Sequence, residues 1–195
     1  MSKSENYDQA IKAFDEANSK DPNKDAADGV EYPKELLYAQ RMTEWLQKMA
    51  PDASEELRLA ARCQHLERWV IPRDEYPMNR PGYIKWRNDL KRYHAERAGE
   101  ILGEIGYDEE TIQRVQDLLM KKGLKKDPEA QMLEDVICVV FLMHYFDEFS
   151  REHTDEKLVR ILQKTWRKMS KQGREKALKL DLSDKSRRLV EKALS

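Results

Sequence analysis

The stretch PKELLYAQRMTEWL (residues 33–46) contains the pattern that decides the fold. Its apolar side chains recur at the three- and four-residue intervals that place them on one face of an α-helix. Pro33 suits the first turn of a helix, where a missing N–H removes no hydrogen bond. The same spacing continues along most of the chain, and strand-like alternation is nearly absent. We therefore expect an all-α protein without a sheet.

Turn and cap signals divide the chain into about eight helices. Residues 21–29 are polar and predict a loop, and three prolines in residues 71–81 exclude a regular helix there. Asp108 and Thr154 have the residue types that cap helix N-termini, and Gly106 suits a helix C-terminus. The expected helices begin at about residue 7, 33, 53, 83, 109, 128, 155 and 184, and the third is expected to continue to Val70.

A chain of 195 residues is long enough for one well-packed domain. We expect a single helical domain over residues 1–195 with a core at about 33–172. Residues 1–30 would add an N-terminal helix and loop, and residues 173–195 a C-terminal helical extension.

The charges nearly balance, with 36 basic and 37 acidic residues and a net charge of -1. Overall charge therefore predicts neither a nucleic-acid nor a membrane partner, and attraction for an anion must come from local clustering. The longest apolar run, residues 136–143, is far shorter than the roughly 20 residues that span a bilayer. Cys63 and Cys138 lack metal-site spacing and are expected to be buried thiols. We expect a cytoplasmic protein with no organic cofactor.

Three polar residues in apolar surroundings form a candidate metal site. His65 and His94 are expected in the middle of two successive long helices, and Asp135 immediately precedes the apolar run. A buried carboxylate is costly unless it is paired or binds a cation. Two imidazoles and one carboxylate can bind a divalent metal and leave positions open for water or substrate. The alternative is that both histidines are core residues bonded to acidic neighbours.

The order and spacing of these residues resemble the HD superfamily of metal-dependent phosphohydrolases. In that family a helical His is followed by a His-Asp pair and then by a distant Asp, on a bundle of helices. The resemblance implies an HD-like helical bundle in which His65, His94 and Asp135 are metal ligands. Ala95 follows His94 where the family has Asp, so the resemblance implies one metal ion rather than two.

A second resemblance extends over nearly the whole chain. It rests on runs such as Glu35-Leu36-Leu37-Tyr38, Arg62-Cys63-Gln64-His65 and His94-Ala95-Glu96. These runs are similar to a family catalogued as domain of unknown function 4202, whose members are often named glutamyl-tRNA synthetase-like. In that family His-Ala-Glu is the ordinary form. This resemblance gives a kinship and implies no activity.

Arginines and aromatic residues alternate around the proline-rich loop and predict a pocket for a small anion. Arginine forks suit phosphate and carboxylate, and aromatic rings can stack on a base. The alternative is that the arginines pair with nearby acids while the aromatic rings pack in the core. The candidate binding residues are Arg62, Arg68, Trp69, Arg73, Arg80, Trp86 and Arg87.

The run Lys168-Met169-Ser170-Lys171 is similar to the signature loop of class I tRNA synthetases. Those enzymes also need a nucleotide-binding sheet and a His-Ile-Gly-His motif, and the sequence predicts neither. We therefore do not expect aminoacylation.

The leading hypothesis is an HD-like hydrolase of a small phosphorylated or nucleotide-like substrate. One divalent metal (Mn, Fe, Co, Ni, Zn or Mg) would activate a water molecule. Glu96 and Glu134 are the candidates for proton transfer, and Lys122 would hold the anion. A non-catalytic module that binds a nucleotide or RNA on the same scaffold is the alternative, with RNA the less favoured ligand. Two His and one carboxylate also suit a non-haem iron oxygenase.

Overall fold

A computed structural model describes residues 3–194, which form two compact units that divide between Lys122 and Gly123. The predominantly helical class is confirmed. The described part of the chain contains ten α-helices rather than about eight. The first unit comprises α1 (Lys3–Asn18), β1 (Lys24–Ala27), β2 (Val30–Pro33), α2 (Lys34–Met49), α3 (Glu55–Arg62), α4 (Arg80–Ile105) and α5 (Glu109–Leu119).

The second unit contains the remaining helices. They are α6 (Pro128–Val140), α7 (Phe146–Arg151), α8 (Asp155–Lys168), α9 (Lys171–Ala177) and α10 (Asp184–Leu194). A π-helical segment, Phe141–Tyr145, connects α6 to α7, so the apolar run continues in helical form beyond residue 140 as predicted. The division into two compact units does not decide whether the chain is one domain or two, so the single domain over residues 1–195 stays a prediction.

The expected loop at residues 21–29 contains strand β1 and the turn of a β-hairpin, so the prediction of no sheet was wrong. The strands β1 and β2 pair antiparallel, with Ala27 opposite Val30. Asp28 and Gly29 both have positive φ, at 52° and 78°. These are the angles of a two-residue turn that matches the twist of a hairpin, and Asp-Gly is a favoured sequence for it.

The third helix ends eight residues earlier than expected. α3 stops at Arg62, and residues 63–67 form turns that lead into a short 3₁₀ segment, Arg68–Val70. Glu67 has the left-handed φ of 49°, which an α-helix cannot contain. Its backbone N–H donates to Asn18 Oδ1 at 2.9 Å, so a contact with α1 holds the turn. His65 therefore lies in a turn and not in the middle of a helix.

The helix α9 was not expected, and it explains the Lys-Met-Ser-Lys run. Lys168 is the last residue of α8, and Ser170 accepts a hydrogen bond from Gly173 N at the start of α9. The buried Met169 anchors the connection between the two helices. The run is a helix–helix turn with a serine cap.

Within residues 3–194, no helix is both long and apolar enough to cross a membrane.

Candidate functional site

Glu35 is a carboxylate buried at the start of α2. It shares the inner face of the helix with Tyr38 and Met42, because residues three and seven positions apart point the same way. Its backbone N–H donates to Asp21 Oδ2 at 2.9 Å, which fixes the first turn of α2. The Glu35 side chain thus enters the interior of the first unit from a rigid position, with 7% of the residue exposed.

His65 lies against this carboxylate. Its Nδ1 is 3.2 Å from Glu35 Oε2, and its ring stacks on Tyr38 with centroids 4.0 Å apart and planes 12° from parallel. The Tyr38 hydroxyl donates to Gln64 Oε1 at 3.0 Å. The turn after α3 and the first half of α2 therefore fix the imidazole on two sides.

His94 enters from the middle of α4, and its ring centroid is 5.9 Å from that of His65. Its Nδ1 is 2.7 Å from the carbonyl oxygen of Leu66, an acceptor, so Nδ1 carries the hydrogen. Nε2 is then a lone-pair acceptor. It is buried and has no hydrogen-bond partner within residues 3–194, although only 3% of His94 is exposed. Buried polar atoms of this kind are rare and call for an explanation.

Glu67 holds the two histidine segments together. Its Oε2 accepts hydrogen bonds from the Tyr93 hydroxyl at 2.9 Å and from Arg97 Nε at 3.0 Å, both on α4. The turn that carries His65 is thereby tied to the helix that carries His94. Residues outside the site thus fix the distance between the two imidazoles.

Two arginines complete what we call the Glu-His-Arg cluster. It is formed by Glu35, His65, Arg68, Arg87 and His94. Arg68 Nε lies 3.7 Å from Glu35 Oε1, and an outer guanidinium nitrogen of Arg68 lies 3.4 Å from His65 Nε2. Its guanidinium lies over the Trp86 ring at 4.8 Å, and Trp86 Nε1 donates to Ile71 O at 2.9 Å. Arg87 is half-buried on α4, and no carboxylate pairs with it in the part of the chain that the structure describes.

The charges of the cluster are unbalanced. Burial lowers the pKa of His65 and of His94 well below the usual range, and the positive charge of Arg68 lowers both further. Both imidazoles are therefore neutral at pH 7. Burial also raises the pKa of Glu35 to about 7, against the opposing effect of Arg68. The Arg68 guanidinium thus faces a carboxyl group that is only partly ionised at neutral pH, and Arg87 adds a second positive charge that acts on both imidazoles.

The other predicted anion-binding arginines have structural partners or lie outside the cluster. Arg62 forms a two-pronged salt bridge with Asp15, at 2.7 and 2.6 Å, and contacts Thr43. Arg73 donates to the carbonyl oxygens of Tyr76 and Pro77 and so holds the proline-rich loop closed. Trp69 is half-buried in the 3₁₀ segment, and Arg80 is exposed at the start of α4.

Asp135 and Glu134 lie in the second unit, where each has a partner from the same unit. Asp135 is 1% exposed and accepts a hydrogen bond from the Ser170 backbone N–H at 2.8 Å, another from the Ser170 hydroxyl, and a third from Gln131 at 3.1 Å. Glu134 is buried, and its Oε1 lies 3.7 Å from Lys168 Nζ. These contacts account for both carboxylates as parts of the α6–α9 packing.

The remaining predicted catalytic residues are on the surface of the first unit. Lys122 pairs with Asp117 at 2.6 Å, and Glu96 is exposed on the side of α4 away from His94. Among residues 3–194, no three His, Cys, Asp or Glu side chains are arranged to hold a metal ion. The triad of His65, His94 and Asp135 has members in both units and stays a prediction.

Sequence reasoning missed Glu35 as part of the site. The usable signal was a charged residue at a position that the helical period of residues 33–46 assigns to the apolar face, together with Tyr38. The structure brings this carboxylate into contact with His65.

Comparison with known proteins places the chain in a family. A family model described as Domain of unknown function (DUF4202) matches residues 8–190. The chain belongs to the DUF4202 family. No curated protein and no solved structure matches the chain. The DUF4202 match includes every residue of the Glu-His-Arg cluster and most of each compact unit, and the resemblance to HD phosphohydrolases stays a prediction.

Proposed function

We propose that the first unit of this DUF4202 protein binds a small phosphorylated compound at the Glu-His-Arg cluster and hydrolyses its phosphate ester. One observation carries the proposal: the largely buried Arg68 guanidinium lies 3.7 Å from the Glu35 carboxyl group, whose pKa is about 7, and the positive charge of Arg87 acts on Arg68 and on both imidazoles. A phosphate dianion would balance these charges. Arginine matches phosphate geometry with paired hydrogen bonds, which makes phosphate the favoured anion.

The surrounding aromatic residues favour a ligand with a ring. The Arg68 guanidinium lies over the Trp86 ring, and Tyr83 lies next to Trp86 with ring centroids 5.8 Å apart. Nearly half of Tyr83 is exposed, so part of its ring is accessible to a ligand. A nucleotide would place its phosphate at the arginines and its base on this ring. The ligand class is therefore nucleotide-like.

Two groups of the cluster suit proton transfer in hydrolysis. His94 Nε2 is an acceptor with a fixed tautomer, so it can take a proton from a water molecule that attacks phosphorus. Glu35, with a pKa near neutrality, can donate a proton to the leaving oxygen when the P–O bond breaks. Arg68 and Arg87 would stabilise the negative charge that builds up on the phosphoryl oxygens.

The order of His65 and His94 along the chain also supports this reaction class, because it resembles that of HD phosphohydrolases. The predicted divalent metal is a separate hypothesis. Elemental analysis of purified protein after incubation with Mn, Fe, Co, Ni or Zn tests it, with His65→Ala as the control. Stoichiometric metal that is lost in His65→Ala would support the hypothesis, and no metal in either protein would end it.

Equilibrium binding and turnover test the proposal together. Wild-type protein is titrated with phosphate, pyrophosphate, AMP, ADP and ATP, and p-nitrophenyl phosphate reports hydrolysis. We expect Arg87→Gln to weaken binding by tenfold to a hundredfold, since hydrogen bonds to charged groups contribute about 1.5–3 kcal/mol. Arg92→Gln is the matched control, because Arg92 is exposed on the same helix and pairs with Asp89.

Each step of the proposal can fail on its own. No binding of any of these compounds at millimolar concentration, or equal losses in Arg87→Gln and Arg92→Gln, would refute the binding site. Binding without turnover would replace the hydrolase with the non-catalytic nucleotide-binding module. If turnover occurs, His94→Gln should abolish it and keep the ligand affinity within a few-fold.

A further inference from the structure

The second unit carries a dense group of positive charges on α8 and α9. Between Lys157 and Lys179 the sequence has nine basic residues and one acidic residue, Glu175, in a chain whose net charge is -1. The Glu-His-Arg cluster does not include this region. A charge excess of this size on two short helices is the local clustering that an anionic partner requires.

The cations of α8 lie on one side of the helix. At 100° per residue, five of them fall within an arc of about 100°, while the buried Leu158 and Leu162 lie on the opposite arc. The five are Lys157, Arg160, Lys164, Arg167 and Lys168, and all five are exposed. We call this arc the basic face of α8.

Local partners neutralise little of this face. Lys168 lies 3.7 Å from Glu134, and Lys157 lies 3.3 Å from His153 Nδ1. Arg160 and Arg167 use only Nε, each donating to a backbone carbonyl one turn back. The outer guanidinium nitrogens of both arginines therefore remain available to a partner.

We propose that the basic face of α8 binds the phosphodiester backbone of a nucleic acid. The row of cations is about 16 Å long, since residues 157 and 168 are separated by eleven steps of 1.5 Å. Each strand of a duplex carries one phosphate per 3.4 Å of helix axis, so a row parallel to the axis spans four to five of them. A linear row of cations fits a linear polyanion.

A membrane surface fits this face less well. Helices that lie in a bilayer interface insert an apolar face beneath their basic residues. Here the apolar side of α8 packs inside the second unit, where Leu158 and Leu162 are buried. The face therefore presents charge without an apolar anchor.

Fluorescence anisotropy tests the proposal with the full chain and three labelled probes of one sequence: single-stranded RNA, single-stranded DNA and duplex DNA of about 20 nucleotides. We expect binding that weakens steeply between 50 and 200 mM NaCl, with a log–log slope of about -3 to -4 for a single strand. The probe that binds most tightly identifies RNA or DNA as the source of the backbone.

The decisive variant replaces Arg160, Lys164 and Arg167 with Gln. Gln keeps helix propensity, and far-UV circular dichroism checks the fold. We expect at least a tenfold loss of affinity at 100 mM NaCl and a slope reduced by about 2, because each lost phosphate contact removes about 0.7. The matched control replaces the exposed Lys20, Lys24 and Lys126 with Gln and should keep the wild-type slope.

Three results would overturn the proposal. They are no binding to any probe at 50 mM NaCl, equal losses in the decisive variant and in the control, and binding only to vesicles that contain phosphatidylserine. Arg87→Gln should leave nucleic-acid binding unchanged, so failure here is distinguishable from failure of the proposed hydrolase.

Discussion

Glu35 in the first unit and Asp135 in the second are both carboxylates that helices bury almost completely, and their surroundings differ. Asp135 accepts hydrogen bonds from a backbone N–H, a hydroxyl and an amide, all at the junction of α6 with the α8–α9 turn. Glu35 has a 3.2 Å contact with His65 and a looser 3.7 Å contact with Arg68. The sequence made Asp135 the functional candidate, and the contacts favour Glu35.

The difference teaches how to separate a structural charge from a functional one. A buried carboxylate with good hydrogen-bond partners is satisfied, and removing it leaves donors unpaired. Burial raises the pKa of Glu35 to about 7, which means that its ionised form has too few partners. Strongly shifted pKa values of this kind are typical of functional sites. The same reasoning singles out His94, whose Nε2 is buried without a partner in residues 3–194.

The largest expected effect is on the structural side of this comparison. Asp135→Ala should lower the free energy of unfolding by about 3–5 kcal/mol, because it removes the charged acceptor of three hydrogen bonds, from the Ser170 N–H, the Ser170 hydroxyl and the Gln131 amide. Urea unfolding measures the loss. Asp181→Ala, at a carboxylate that is almost fully exposed, is the control and should change stability by less than 0.5 kcal/mol. A small loss in Asp135→Ala would remove the distinction between the two carboxylates.

A somewhat smaller effect is expected at Glu35, and its sign depends on pH. The pKa of Glu35 is about 7 in the folded state and has the usual value of 4.5 in the unfolded state. Between pH 4.5 and pH 7 the folded state therefore binds more protons than the unfolded state. Stability therefore falls as pH rises from 4.5 through 7, by about 3 kcal/mol in total. Glu35→Gln removes this cost, so the variant should gain about 3 kcal/mol relative to wild type between pH 4.5 and pH 8.

Urea unfolding followed by tryptophan fluorescence at the two pH values measures this gain. The same substitution at the exposed Glu96 is the control and should alter stability equally at both pH values. A Glu35→Gln effect that does not change with pH would mean that the carboxyl group ionises as in water.

The smallest effect sharpens the structural role of the Asp135 junction. A methyl group at Gly173 would lie 2.5 Å from Asp135 Cγ, so Gly173→Ala should cost about 2 kcal/mol. At Gly103 the nearest atom to such a methyl is Ile112 Cδ1 at 3.8 Å. Gly103→Ala should therefore raise stability by up to about 1 kcal/mol through helix propensity. Thermal unfolding of both variants checks the pair, and equal effects would show that α9 does not pack closely on Asp135.

Much of the helical framework follows from local signals. Asp108 and Thr154 accept hydrogen bonds from backbone N–H groups at the starts of helices as predicted, and Gly106 ends α4 with a φ of 98°. These features depend on residues a few positions apart, which a single sequence displays directly.

The features that were missed depend on tertiary contacts. The turn after α3 is held at Glu67 by a hydrogen bond to Asn18, 49 residues away, and no local pattern in residues 63–67 indicates a break. The cap at Ser170 depends in the same way on Asp135, 35 residues away. The hairpin is different, because Asp28-Gly29 was a local signal that the polar composition of residues 21–29 concealed.

Of the candidate site, His65, Arg68, Trp86, Arg87 and His94 could be found from residue type and position. The sequence did not decide between carboxylates, because Glu35 and Asp135 both lie next to apolar residues of a helix. The hydrogen bonds of Glu35 and Asp135 distinguish the two carboxylates, and these bonds exist only in the folded chain.

The most direct test of the Glu-His-Arg cluster as the ligand site is ¹⁵N NMR of the histidine side chains at pH 7, with and without AMP. We expect His94 to be neutral with its hydrogen on Nδ1, and we expect AMP to shift the His94 and His65 resonances while that of His153 stays in place. A positively charged His94 at pH 7, or imidazole resonances that saturating AMP leaves unmoved, would contradict the account.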